Sequence, residues 1–457
     1  MTDSSSTCVD LSFLSDKLIP IRQEHLLDHW HSLSPQQKHS LGSQISQIHV
    51  PFFLRQQTLL QTSRSPHQTC TPLSPQYYSG DTPAYTQLGF QLCQKGKVGC
   101  IVLAGGQGSR LKFDGPKGLY PVSSVKKKPL YQLVAEKVVA ASKQVGHPLP
   151  IAFMTSPLNH KQTLSYFAAN RYFNLDPSQV DFFCQPLWPL LSLSGDLFLE
   201  SVDRIAFGPT GNGCLASLLQ TSGIWDKWHQ AGIEMVSVIP IDNPLALPFD
   251  RELFGFHTAE RNDVTIKTTL RQNAKEDVGV LIELAEHKIS VVEYSEIPDQ
   301  ERFARTSTGD LTYKLANIGL YCLSMDFLAQ VADKPLPIYK VNKYAKQLHP
   351  SPAEKNAWKF EEFIFDLFHY SRRSQAIVYP RHECFAPLKN YAGNYSPATV
   401  REALRKREQA LFTAVTEREL SPNTIFELEA DFYYPSSHTS LEWENKIFFQ
   451  EPIIEAS

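Results

Sequence analysis

Residues 97–118 read KVGCIVLAGGQGSRLKFDGPKG, and the change of character inside this stretch decides the fold class. Val98 to Leu103 form an apolar run with the length of a strand buried on both faces, and the run stops at Ala104, Gly105 and Gly106. Two more runs of the same kind follow, PLPIAFMTS at 148–156 and EMVSVIPIDNP at 234–244. Helical patterns lie between them, at 128–146, 160–173 and 213–232. Strand and helix alternating at this spacing predict an α/β fold built on a doubly wound sheet. In such a sheet, ligands bind at the carboxyl ends of the strands, where the glycines of this stretch fall.

Working outward, β-like runs at 264–270, 278–283, 288–296 and 317–323 predict that the sheet is mixed around a substrate pocket. Residues 1–95 are rich in Ser, Gln and His. Leu26, Leu27, Trp30 and Leu33, then Phe52, Leu54, Leu59 and Leu60, recur there at helical spacing. This predicts a helical N-terminal region, 1–95, with an irregular Pro- and Ser-rich connection from 64 to 85. The main α/β domain is expected over 96–375. A small α+β C-terminal domain is expected over 376–457, with a strand at AIVYP, a loop at PLKN and a helix in ATVREALRKREQALFTAV.

Composition sets limits on function. The chain has 457 residues, room for about three domains at roughly 150 residues each. A hydrophobic fraction of 42% with 27 Phe and 18 Tyr supplies a large core and excludes disorder across most of the chain. Lys+Arg 44 against Asp+Glu 47 gives a net charge of −3, so no basic field is available to hold a nucleic acid or an anionic membrane. No apolar run reaches the roughly 18 residues of a membrane helix. The N-terminus lacks a basic region followed by an apolar one, which argues against a secretory signal. The 8 cysteines form no C-x-x-C or dense disulfide pattern, so reduced thiols in the cytoplasm are expected.

The glycine stretch carries the chemistry. Gly105 and Gly106 let consecutive backbone N–H groups converge on phosphate oxygens. Neither a Walker A loop nor G-x-G-x-x-G fits the spacing. Instead the loop carries two cations, Arg110 and Lys117, and a chain of phosphates needs charge at more than one position. Phe385-Ala-Pro-Leu-Lys-Asn390, far along the chain, holds a further lysine, Lys389, which taken alone reads as solvated surface. Asp242 in Ile241-Asp-Asn243 follows the strand run and by itself reads as a turn or helix-cap carboxylate at the sheet's carboxyl end. The 15 histidines form no recognisable motif, and no G-x-S-x-G elbow points to Ser/His/Asp catalysis.

Leu103-Ala-Gly-Gly-Gln-Gly-Ser-Arg-Leu111 followed by Pro116-Lys117 resembles the nucleotide-sugar pyrophosphorylase signature, and most closely the UDP-N-acetylglucosamine pyrophosphorylase branch, LAGGQGTRLG-F-DGPKG. Ser109 replaces the branch's Thr, and Lys112 replaces its Gly. Further segments resemble the same family in order: Met154-Thr-Ser156, Phe183-Cys-Gln-Pro186, Pro209-Thr-Gly-Asn-Gly213, Ile241-Asp-Asn243, Gly279, Val291 to Ile297, Leu315-Ala-Asn-Ile-Gly319 and the Lys389 hexapeptide. Thr210 stands for the family's Asp and Cys214 for a Gly. Phe360 to Asp366 also resembles a family segment and, at helical spacing, is expected to be architecture.

The resemblance implies a Rossmann-like nucleotidyltransferase domain that joins UTP to a sugar 1-phosphate, releasing pyrophosphate, with Mg²⁺ as cofactor. It implies that Arg110, Lys117 and Lys389 serve the phosphates. Leu103, Gly105, Gly106, Gln185 and Gly211 would line the nucleotide; Asn212, Gly279, Glu293 and Asn317 would face the sugar; and Asp242 would bind the metal. The expected acceptor is N-acetylglucosamine 1-phosphate. The alternatives are glucose 1-phosphate or a broad range of sugars, and a catalytically silent nucleotide-sugar-binding protein on the same fold. Oligomeric state is not readable from these motifs.

Overall fold

The apolar runs become neighbouring strands of one large sheet in the computed structural model, which describes residues 10–62, 71–74, 77–284, 288–294, 296–349, 354–421 and 424–450. The chain divides into two units. One comprises Met1–Pro66, Pro186–Gly213 and Leu336–Phe363; the other comprises His67–Gln185, Cys214–Pro335 and Ile364–Ser457. The three-part division expected from composition is therefore drawn differently. Residues beyond 66 in the region expected at 1–95 fall in the larger unit, as does the whole of 376–457, and the smaller unit is assembled from three separate stretches.

The larger unit is a mixed α/β structure. Its sheet runs Tyr77–Tyr78, Ser374–Val378, Val264–Leu270, Leu315–Ser324, Met235–Pro240, Val98–Leu103, Ile151–Thr155, Val180–Cys184. The last four are mutually parallel, whereas Leu315–Ser324 runs antiparallel to both of its neighbours and makes the sheet mixed. The burial of every residue in Ile151–Thr155, and of all but the last in Met235–Pro240, explains why these strands read as continuous apolar runs. Val280–Glu283 and Ile289–Val292 form a hairpin that joins the sheet through Val280 and Ala316. Ser374–Val378 pairs with Val264–Leu270, so the segment expected to open a separate C-terminal domain completes the main sheet. Beyond it, the helix Pro397–Thr416 packs Phe412 into a small cluster with the Phe426–Leu428 and Ile447–Phe449 hairpin.

Two expected helices are shorter than their patterns. The pattern at 213–232 splits into Leu215–Thr221 and Ile224–Gln230 because Gly223, at φ 75°, takes the left-handed conformation that ends a helix. The pattern at 160–173 stops at Ala169, and Arg171 to Asn174 all have positive φ. The helix Pro83–Gln94 begins inside the stretch expected to be irregular. Phe360 and Glu361 close a strand, Ala357–Glu361, and the helical turns begin only at Ile364.

In the smaller unit, the helices Leu11–Leu18, Pro35–Ser46 and Val50–Gln61 bury Leu14, Leu18, Leu41, Ile45 and Phe53 against Leu191, Leu197, Ile205 and Phe360. Among the described residues, Cys93, Cys100, Cys184, Cys322 and Cys384 are free thiols, and no helix is long and apolar enough to cross a membrane. Cys8, Cys70 and Ser295 lie outside the described residues.

Candidate active site

Leu103 is the last residue of its strand, beside Met154 and Pro240, so the glycine loop leaves the sheet at the carboxyl ends of three parallel strands. The loop's shape is fixed from the protein side. Asn159 Nδ2 donates to the carbonyls of Ala104 at 2.9 Å and Gly106 at 3.3 Å, and Ser156 Oγ donates to that of Gly105 at 2.9 Å. Lys117 N–H also reaches the Gly106 carbonyl, at 3.1 Å. Three successive carbonyls are thus held by Asn159, Ser156 and Lys117. A Cβ on Gly105 would lie 1.8 Å from Gln185 Nε2, so glycine is required for Gln185 to lie against the loop. Gln185 is buried, and its Oε1 has no donor among the described residues. Lys112, where the related branch has Gly, sits at φ 54°, and its Nζ lies 4.4 Å from the centre of the exposed Tyr391 ring.

The cations meet around one carboxylate. Lys117 Nζ lies 3.0 Å from Asp242 Oδ2. Burial alone would raise the Asp242 carboxyl, but the charges of Lys117, Lys389 and Arg110 outweigh it and hold the group below its ordinary range. Lys389 shows the converse. Burial, helped by Lys117 and Arg110, lowers its ammonium below the usual lysine range, against the pull of Asp242 and Glu293. Arg110, Lys117 and Lys389, predicted from separate parts of the sequence, therefore share one electrostatic neighbourhood with Asp242. Among the described residues, no group of three or more His, Cys, Asp or Glu side chains is placed to hold a metal unaided. A single carboxylate among cations fits an ion whose remaining ligands come from substrate phosphates.

Gly279, Glu293 and Asn317 form a second cluster. Asn317 N–H donates to the Gly279 carbonyl at 2.8 Å, and a Cβ on Gly279 would approach Glu293 Oε1 to 3.3 Å. Tyr321 OH donates to Asn317 Oδ1 at 2.8 Å, which fixes the amide's orientation. The Glu293 charge pulls weakly against the lowering of the Lys389 ammonium. Gly211 and Asn212 belong to the smaller unit. There Gly211, at φ 91°, bridges Glu362, and a Cβ on it would lie 2.3 Å from the Glu362 carbonyl oxygen.

Several residues that shape the site carried no signal in the sequence. Asn159 and Tyr321 act only by orienting a neighbour. Arg381 and Tyr395 both bind Glu276 Oε1, and the Tyr395 carbonyl accepts from Lys389 N–H at 2.8 Å. Lys137 is buried in the helix Leu130–Val145 and donates to the carbonyls of Pro244 at 2.5 Å and Ala246 at 3.1 Å, behind the Asp242 turn.

A family model described as UTP–glucose-1-phosphate uridylyltransferase matches residues 80–444. The UDP-N-acetylglucosamine pyrophosphorylase of Saccharomyces cerevisiae is 31% identical over 422 residues, covering 84% of this chain and 87% of that one. The human UDP-N-acetylhexosamine pyrophosphorylase-like protein 1 is 31% identical over 414 residues, covering 84% of this chain and 81% of its own. The crystal structure of the Trypanosoma brucei uridine diphosphate N-acetylglucosamine pyrophosphorylase superposes with a TM-score of 0.73 at 24% identity, covering 91% of this chain and 88% of that one, and so shares the fold. With the family model spanning most of the chain and relatives of this kind aligned along most of both sequences, the chain belongs to the UTP–glucose-1-phosphate uridylyltransferase family of enzymes.

Proposed function

We propose that the chain transfers a uridylyl group from UTP to a sugar 1-phosphate, and that N-acetylglucosamine 1-phosphate is the preferred acceptor. The observation that carries this reading is the meeting of Lys117, Lys389 and Arg110 around Asp242 beside the glycine loop. A phosphate oxygen of the sugar 1-phosphate attacks the α-phosphorus of UTP, the bond to the β-phosphate oxygen breaks, and pyrophosphate leaves. The nucleophile is already an anion, so no general base is required. The protein's work is to bring two polyanions together and to balance charge as it moves onto the leaving group.

In this reading Arg110 binds the pyrophosphate end, Lys117 leaves Asp242 for the α-phosphate, and Lys389 holds the sugar's phosphate. Leu103, Gly105 and Gly106 line the nucleotide. Gln185 Oε1, a buried acceptor without a protein donor, is suited to the uracil N–H. Gly279, Glu293 and Asn317 serve the sugar hydroxyls, where a site built for hydrogen bonds rejects analogues that lack them. Asp242 would hold Mg²⁺ with the triphosphate oxygens, and the bound ion would supply charge neutralisation between the phosphates. The acetylated acceptor is favoured by Gln107 of the loop, by the Val291–Ile297 run and by the names of the relatives above. A cytoplasmic setting accords with the free thiols among the described residues.

Pyrophosphate release from UTP and N-acetylglucosamine 1-phosphate tests the reaction. Lys117→Ala should lower kcat by about 100-fold or more, the scale of losing one preorganised charge contact. Turnover equal to the parent's would remove Lys117 from the mechanism. Chelation by EDTA should abolish release, and added Mg²⁺ should restore it. Measuring kcat/KM side by side for the two sugar phosphates decides the acceptor, since a value for glucose 1-phosphate equal to or above that for the acetylated sugar would transfer the assignment to glucose.

A further inference from the structure

Lys389 lies far along the chain from Asp242, yet backbone and side-chain hydrogen bonds tie their segments together, and a single buried side chain makes two of them. Asn243 is 1% exposed. Its Nδ2 donates to the Cys384 carbonyl at 2.7 Å, and its Oδ1 accepts from Ala386 N–H at 3.1 Å. One residue back, the Asp242 carbonyl accepts from Leu388 N–H at 2.7 Å. The segment from Cys384 to Leu388 is therefore tied at three points to the Asp242–Asn243 turn, and Lys389 is the next residue. Only an amide of this length satisfies both contacts. Alanine removes both, and aspartate would set a carboxylate oxygen against the Cys384 carbonyl.

We propose that Asn243 is a positioning residue for the transfer reaction, which sets the Lys389 ammonium against Asp242 by clamping the 384–388 segment to the metal-site turn. This rests on the role given to Lys389 above. Free of the clamp, a lysine on a loop would spread over many rotamers and the preorganisation of its charge would be lost, a cost in kcat rather than in UTP binding.

The test is a double-mutant cycle on full-length enzyme, assayed below the lowest melting temperature of the set. Lys389→Ala should lower kcat by about 100-fold. Asn243→Ala should lower it by about 10-fold or more with KM for UTP changed less than about threefold. In the Lys389→Ala background, Asn243→Ala should cost less than about twofold more, because the group it positions is already gone. If the two losses multiply, Asn243 acts on the fold at large and the proposal is overturned. Parent-like kcat in Asn243→Ala alone also overturns it. If Lys389→Ala itself turns over like the parent, the role of Lys389 falls and the clamp's purpose with it. Asn243→Asp, close in volume, runs through the same cycle should the alanine variant fail to fold, and the same criteria decide.

Discussion

Gly105 has no room for a methyl group while Gln185 keeps its place. The clash in Gly105→Ala would fall on the mobile end of the Gln185 side chain, and the nearest firm atom, Ser156 Cβ, is 3.6 Å away. The amide should therefore swing aside at little cost to the fold and leave the proposed nucleotide pocket without its buried acceptor. Gly105→Ala should raise KM for UTP by about 10-fold and shift the melting temperature by less than about 2 °C, with the KM for the sugar phosphate changed least. A parent-like KM would show that Gln185 takes no part in nucleotide binding. At this scale the sequence is a partial guide. Arg110 and Lys117 are legible because polyphosphate chemistry demands cations near glycines, whereas Lys389 and Asp242 are legible only through the segments that resemble the family. Asn159 is not, because it acts on backbone carbonyls that folding alone brings near, and nothing in its local sequence distinguishes it from a turn residue. Asn243 stands in the family-like Ile241-Asp-Asn243 segment, but its partners Cys384 and Ala386 appear only in the fold.

The helices Pro83–Gln94 and Arg251–Ala259 cross backbone to backbone. A Cβ on Gly89 would lie 1.7 Å from the Arg251 carbonyl oxygen, and one on Gly255 would lie 1.8 Å from that of Tyr85. Neither obstacle is a flexible side chain, so the helices themselves must part. Gly255→Ala should cost about 2 kcal/mol or more, on the scale of overpacked cores, read as a lower denaturant midpoint with an unchanged slope. Stability equal to the parent's would mean that the crossing is loose. The crossing also explains why the boundary expected near 95 does not divide the units. A helix whose partner lies far along the chain has no local mark of that partnership, whereas the strands around Val98, Ile151 and Met235 declare their burial in their own composition. Gly223 is the complementary case. It was visible as a glycine, but only its left-handed φ shows that it ends one helix before the next begins.

With a net charge of −3, the molecule as a whole exerts no strong field, and its electrostatics reside in a few buried groups. One lies behind the site. Burial pushes Lys137 down to about 7, and burial pushes Glu408, on the helix Pro397–Thr416, up to about 8. Each acts on the other electrostatically. Lys137 reaches the Pro244 and Ala246 carbonyls, while Glu408 accepts from Leu428 N–H at 3.1 Å. The signs are opposite. Between its unfolded value of 4.5 and about 8, Glu408 holds a proton in the fold that the unfolded chain has lost, so its contribution is complete below 4.5 and disappears as pH rises through 8. Between about 7 and its unfolded value of 10.5, Lys137 lacks a proton that the unfolded chain keeps, so its contribution is complete above 10.5 and disappears as pH falls through 7. The pair therefore supports the fold least between about 7 and 8. Glu408→Gln keeps an acceptor for Leu428 N–H and removes the ionisation. Its melting temperature should gain on the parent's steadily from pH 5 to pH 8, in a buffer series at constant ionic strength. A difference that stays flat across that range would mean that Glu408 is ionised in the fold throughout, with Lys137 as its charged partner.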